Sequence, residues 1–245
     1  MISRDAYVEN ASATWQVVAP TSHRDEAYFR ADLPWMTRLI LRAPMPAEQL
    51  SVLLDSAPSA KNVLVEDVFG GHDNALPVPT TRVLRMPVMA RAATPAGSAV
   101  TNDTVRVVHV SDLDELAVAE RLIVEDFPVP ALLPWRRGVA LPPHVLGVKG
   151  WTVWLTYRNG EPAAAGYTYD DGHVVGLYWL VTSPDHRSAG LGRALMRQII
   201  QANPERPITL VATDAGLPLY ESLGFQVVAT TTWYTRSPVE GINNH

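Results

Sequence analysis

The sequence predicts an α+β fold (mixed α/β): a central mixed β-sheet flanked by helices. Three observations carry this expectation. Residues 151–182, WTVWLTYRNGEPAAAGYTYDDGHVVGLYWLVT, are β-rich runs separated by turn signals at Asn159-Gly160 and Asp170–Gly172, the pattern of a three-stranded antiparallel meander. The third run passes through a glycine turn directly into helical sequence. The order over 105–235 reads β, α, (α), β, β, β, α, β, α, β, neither a pure alternation nor a pure β pattern.

Along the chain, 47–54 (AEQLSVLL) reads as helix, and 62–69 and 81–91 read as strands, with Pro87 placing the latter at an edge or a bulge. Pro, Gly, Ser and Thr cluster at 93–104, the best linker candidate, and divide the chain into 1–103 and 104–245. After it, VRVVHV at 105–110 is a short strand. Ser111 is the expected N-cap, with Asp112, Asp114 and Glu115 in the first turn, where the helix dipole favours acids. Leu113, Leu116, Ala117, Ala119, Leu122 and Ile123 form an apolar helix face running to Phe127, and Pro128 stops it. The proline-rich segment 128–150 is expected to be irregular or to carry one short helix. Beyond the meander come a helix at 191–202, the strand PITLVAT, a short helix through LPLYESLGF and a final strand, QVVATTTWY.

Composition bounds the function. The chain has 245 residues, 47% hydrophobic and 18% charged, enough to bury a sizeable core. A net charge of −5 argues against a general binder of nucleic acid or of anionic membranes. The absence of cysteine excludes disulfides, thiolate metal sites and Cys nucleophiles, and the histidines lack ligand spacing, so no metal is expected. With no signal-like N-terminus and no long apolar stretch, a soluble cytoplasmic protein with no membrane partner is expected.

The stretch TSPDHRSAGLGRALM at 182–196 carries the chemistry. A dinucleotide fingerprint needs a third glycine, which Gly190-Leu191-Gly192-Arg193-Ala194-Leu195 lacks, and no Lys-Ser/Thr pair follows for a Walker loop. Two readings remain: a bare tight turn with solvated arginines, or an anion cradle. Gly190 and Gly192 permit N–H groups to converge, the helix start adds its positive dipole end, and Arg187 and Arg193 flank it.

Arg187-Ser188-Ala189-Gly190-Leu191-Gly192 resembles the acyl-CoA signature, R/Q-x-x-G-x-G/A, of the GCN5-related N-acetyltransferase (GNAT) superfamily. Downstream, 214–225 (DAGLPLYESLGF) resembles the family's second signature, a helix carrying Tyr followed by Leu-Gly-Phe. The resemblance covers 104–236 and implies a GNAT fold there. Residues 1–103 look like a degenerate or partial GNAT-like half, as in tandem members, with no cofactor motif.

The resemblance further implies acetyl-CoA as co-substrate, with backbone groups of Leu180, Val181 and Thr182 on the pantetheine. The N–H groups of Ser188, Ala189, Gly190, Leu191, Gly192 and Arg193 would hold the pyrophosphate, and a side chain at either glycine would obstruct the phosphate or strain the turn. Arg187 belongs to the same signature. Thr213 stands where relatives have a cofactor-assisting asparagine. Tyr220 takes the position of the general acid. The fourth family strand has no carboxylate, so the base is Glu125, at the end of the first helix of this half, or a water chain. Tyr178 and Trp179 alternate across that strand, and one of them is a candidate for lining the acceptor site. The implied activity is acetyl transfer to an amine of a small molecule or a peptide. The alternative is a non-catalytic acyl-CoA-binding sensor or interaction module; a homodimer stays open.

Overall fold

The computed structural model describes residues 3–58, 60–70, 82–93, 104–127 and 129–238. The linker expected at 93–104, apart from its two end residues, and the helix stop at Pro128 lie outside them. In chain order the elements are α1 (Arg4–Val18), β1 (Thr21–Arg24), β2 (Tyr28–Asp32), β3 (Met36–Leu41), α2 (Ala47–Asp55), β4 (Asn62–Asp67), β5 (Arg82–Arg91), β6 (Val105–His109) and α3 (Leu113–Asp126). There follow β7 (Trp151–Arg158), β8 (Glu161–Asp170), β9 (Val175–Thr182), α4 (Leu191–Ala202), β10 (Ile208–Val211), α5 (Leu217–Ser222) and β11 (Gln226–Arg236).

Local chemistry explains these elements. The β7–β8 hairpin turns on Asn159 and Gly160, both at positive φ, as a two-residue turn between twisted strands requires. α3 starts one residue later than Ser111 would place it. Asp112 is the N-cap because its carboxylate accepts the N–H groups of both Asp114 (2.9 Å) and Glu115 (2.8 Å), satisfying two orphan donors at once. Segment 129–150 holds two short 3-10 helices, Pro130–Leu132 and Pro143–Gly147, where irregular chain or a single helix was expected.

Among the described residues the strands form one sheet in the order β1-β2-β3-β4-β11-β5-β10-β9-β8-β7-β6. The two halves of the sequence exchange their last strands. β5 lies between β10 and β11, antiparallel to both, while β11 pairs with β4. The arginines that end these two strands reinforce the exchange. Arg236 of β11 donates to the carbonyls of Leu54 (3.2 Å), in the last turn of α2, and Ala57 (3.0 Å), just beyond it, and Arg91 of β5 donates to Leu223 (3.0 Å) past the end of α5.

Of the two settings expected for Pro87, an edge or a bulge, the structure excludes the edge, because β5 is an interior strand. Proline is tolerated there because β10 ends at Val211, opposite Val88; the Pro87 carbonyl accepts from Ala212 (3.0 Å), and β11 is bulged alongside, between Val227 and Ala229. Strand alternation sends two cores to opposite faces. α1, α3 and the 3-10 segments cover one face through Tyr7, Trp15, Ile123, Leu132 and Val145. α4 and α5 cover the other through Leu195, Ile199 and Tyr220, and α2 extends that face over Leu39 and Val65.

Candidate functional site

β9 and β10 begin side by side and then part. They run parallel, paired at Val175–Ile208 and Gly176–Thr209, so from Leu177 onward the edge of β9 that faces β10 has no strand partner among the described residues. Backbone N–H and C=O groups along such an edge can pair with an extended ligand. On its other side β9 is bulged: Trp179 and Leu180 together oppose Gly166 of β8. Trp179 sits at φ +50, a strained conformation for a bulky residue. A Cβ on Gly166 would meet the Leu180 Cα at 3.1 Å, so the bulge requires a residue without a side chain opposite it. The lone glycine in AAAGYTY was the available sequence signal for this bulge.

β9 then leads into the glycine turn. A short 3-10 turn at Pro184–His186 precedes Ser188 at φ +62 and Gly190 at φ +77, after which α4 begins. Among the described residues no acceptor takes the N–H groups of Ser188 through Arg193, and Ser188, Ala189 and Gly190 are exposed. Consecutive free N–H groups at the positive end of a twelve-residue helix make a competent anion site. The buried face of the helix, Leu191, Leu195, Met196 and Ile199, fixes its start against the sheet.

The two glycines differ. At Gly190 a Cβ would meet nothing within 4 Å, so the demand for glycine comes from its left-handed φ alone. At Gly192, which is not left-handed, a Cβ would meet Leu219 at 3.4 Å, Thr182 Oγ1 at 3.6 Å and Leu180 at 3.8 Å. Those are ordinary contacts, so alanine fits at 192 without straining the turn. They also show that the start of α4, the end of β9 and α5 converge at one point.

Tyr220 follows Leu219 on α5 and is buried, its ring edge-on to Phe225 at 5.8 Å. Its hydroxyl has no hydrogen-bond partner among the described residues. Burial pushes its pKa up to about 12, so the phenol keeps its proton at any ordinary pH and has it available to donate. Burial also raises Tyr7 and Tyr178 well above the usual phenol value. In the unfolded chain these phenols ionise near pH 10, so the native state holds more protons above that pH. Stability is therefore expected to be flat with respect to these groups up to about pH 10 and to fall as pH rises beyond it, Tyr220 alone contributing about 2–3 kcal/mol by pH 12. Urea midpoints at pH 8, 10 and 11 check this; a flat response through pH 11 contradicts it.

The other sequence candidates fall as follows. The Thr213 hydroxyl and carbonyl both accept from Gly216 N–H, at 3.3 and 2.9 Å, so this residue closes the turn before α5. Arg187 folds back, its Nε donating to the Thr182 carbonyl at 3.3 Å. Glu125 is exposed on α3 and pairs with Arg121 at 2.9 Å one turn earlier. Tyr178 donates to Asn10 Oδ1 (2.6 Å), and Asn10 Nδ2 in turn holds the Val174 carbonyl (3.1 Å), so α1 grips the β8–β9 hairpin. Trp179 packs against Trp15 (5.8 Å) and Trp35 (6.2 Å), both from the first half of the chain.

Sequence reasoning missed Glu120. It is fully buried, and its carboxylate accepts from Gly138 (2.7 Å), Ala140 (2.7 Å) and Leu141 (2.9 Å) backbone N–H groups and from Trp135 Nε1 (3.2 Å). One side chain thus organises the proline-rich segment over α3. Its position, four residues after Leu116 and three before Ile123 on the apolar face, was the signal. Among the described residues no group of three or more His, Asp or Glu side chains could hold a metal ion, and no helix is long and apolar enough to cross a membrane.

Residues 149–227 match the model of the acetyltransferase (GNAT) domain. No curated protein sequence matches the chain. Among solved structures, it is similar to a GCN5-related N-acetyltransferase from Kribbella flavida, at 16% identity over 99% of this chain and 98% of that one, with a TM-score of 0.65. An acetyltransferase of the GNAT family from Novosphingobium aromaticivorans aligns at 19% identity over 95% and 97% of the two chains, TM-score 0.62. A tandem GNAT protein from the clavulanic acid biosynthesis pathway aligns at 11% over 94% and 88%, TM-score 0.56. At such identities the structures speak for the fold, and the fold runs nearly the whole length of the chain. Residues 149–227, from just before β7 to the start of β11, thus match the GNAT acetyltransferase domain, and the chain as a whole shares its fold with these N-acetyltransferases.

Proposed function

We propose that this protein transfers an acetyl group from acetyl-CoA to an amine of a small molecule or a peptide. The observation that carries this reading is the run of free N–H groups from Ser188 to Arg193 at the start of α4, beside the unpaired edge of β9. The diphosphate of acetyl-CoA fits the first, and the extended amide-bearing pantetheine fits the second, along Leu180, Val181 and Thr182. Residues 104–245 form the catalytic half in this reading, and residues 1–103 a degenerate half without a cradle of its own.

Bound acetyl-CoA supplies a thioester. The amine nitrogen forms a bond to the thioester carbon, the C–S bond breaks with its electron pair on sulfur, and the products are an amide and CoA thiol. Tyr220, held neutral by burial, donates a proton or hydrogen bond to the departing sulfur. The proton lost by the amine leaves through Glu125, which is exposed to solvent, or through a water chain.

Isothermal calorimetry with acetyl-CoA tests the reading, and its central expectation is saturable one-to-one binding. Gly192→Ala is expected to keep affinity within about threefold, since its methyl meets only ordinary contacts. Gly192→Val, with added bulk at the convergence of α4, α5 and β9, is expected to weaken binding about tenfold or more. Gly190→Ala is expected to cost about 1 kcal/mol of stability through its left-handed φ. No binding by the wild-type protein overturns the proposal.

A further inference from the structure

The first half of the chain builds a second polar centre against the bulge of β9. Arg38 of β3 and Glu66 of β4 form a buried ion pair, and the Tyr7 hydroxyl donates to the same carboxylate. The Arg38 guanidinium lies over two indoles, 4.6 Å from the Trp15 ring and 4.8 Å from the Trp233 ring. Trp233 is directly opposite Glu66 in the β4–β11 pairing. Trp15 contacts Trp35 (6.4 Å) and Trp179 (5.8 Å), the strained residue of the bulge. Trp15, Trp35, Arg38 and Glu66 are buried, whereas Trp179 and Trp233 are half-buried and form the rim.

The hydrogen-bond balance of this box has a sign. Among the described residues, Arg38 Nε and the indole N–H groups of Trp15, Trp35 and Trp233 are buried without partners. All are donors. Buried donors left unpaired cost free energy, and only a group rich in acceptors satisfies several together. Arg38 donates from Nη2 to Glu66, which leaves its buried Nε–H, beside the two indoles, to donate to an anionic oxygen. A carboxylate offers about four lone-pair directions on two oxygens.

Resting on the acetyl-transfer reading above, we propose that the acceptor is a carboxylate-bearing amine, an amino acid in the broad chemical sense. Its carboxylate is bound by Arg38 in the tryptophan box, and its nitrogen is presented to the donor at the β9 bulge. The degenerate half of the chain thereby supplies the specificity for the acceptor.

The test uses the full-length protein with saturating acetyl-CoA, following thiol release with the proteinogenic amino acids, each beside its carboxamide counterpart. At least one acid is expected to exceed its amide by about thirtyfold or more in kcat/KM. Arg38→Gln is expected to lower kcat/KM for that acid by about thirtyfold and to leave its amide within about threefold. Arg38→Lys keeps a cation for Glu66 but lacks the free Nε–H; it should lose the same preference at near wild-type melting temperature. Equal losses for acid and amide in both variants, or preference for amides in the wild type, overturn the proposal. Acetyl-CoA binding without turnover of any acid, and without a thermal shift of the acetyl-CoA complex by any acid, also overturns it and leaves the donor reading standing. Failure to bind acetyl-CoA removes both, and is detected first.

Discussion

Tyr220→Phe is expected to lower kcat for acetyl transfer about a hundredfold while acetyl-CoA affinity stays within about threefold. The variant removes one oxygen from a buried side chain whose hydroxyl has no partner among the described residues, so no protein hydrogen bond is lost in the ground state. Its ring contact with Phe225 is kept, and the fold should be undisturbed. What disappears is a donor whose acceptor arises only as the C–S bond breaks, and the loss should therefore appear in kcat. Because burial holds the phenol proton up to about pH 12, wild-type kcat should show no falling limb near pH 10. Steady-state rates at saturating acetyl-CoA, with calorimetry on both proteins, check this. A variant with undiminished kcat assigns Tyr220 to packing alone.

Glu120→Ala is expected to cost about 3 kcal/mol or more, because it strips three backbone N–H groups and an indole N–H of a shared acceptor. For a chain of this size that corresponds to a fall of roughly 6–12 °C in Tm. Glu120→Gln should fall between, since the amide retains one acceptor oxygen and turns a donor toward N–H groups that need an acceptor. Calorimetric melting, with proteolysis mapped across 129–148, distinguishes local loosening from global loss. A Tm within about 2 °C of wild type for the alanine variant contradicts the role assigned to this carboxylate.

The second half of the chain was largely legible in sequence because its signals are local. Asn159-Gly160 forces a hairpin, the spacing of Leu191, Leu195 and Ile199 sets a helix face, and the glycine turn sits where the strand ends. The first half was less legible. β1 is wholly exposed and β3 wholly buried, so neither shows the alternation that marks a half-buried strand. The destination of β5 was hidden for a different reason. Its partners β10 and β11 lie more than a hundred residues away, as in the pair Arg91–Ile208, and no local pattern encodes so distant a register. The parts of the site fixed by backbone were visible through glycines and turn residues. Arg38, Glu66 and Glu120 were not, because a charge within an apolar run reveals that it is buried without revealing its partner.

The exchange of final strands also constrains how such a chain can be inherited. Two halves that each kept their own sheet could be recombined, lost or replaced separately, as modules are. Here each half holds a strand that the other needs, so a gene fragment encoding either one would leave a gap in a sheet. Divergence in β5 must stay compatible with β10, and divergence in β11 with β4. The first half is in this way tied to the second by strand pairing, whatever else its residues do.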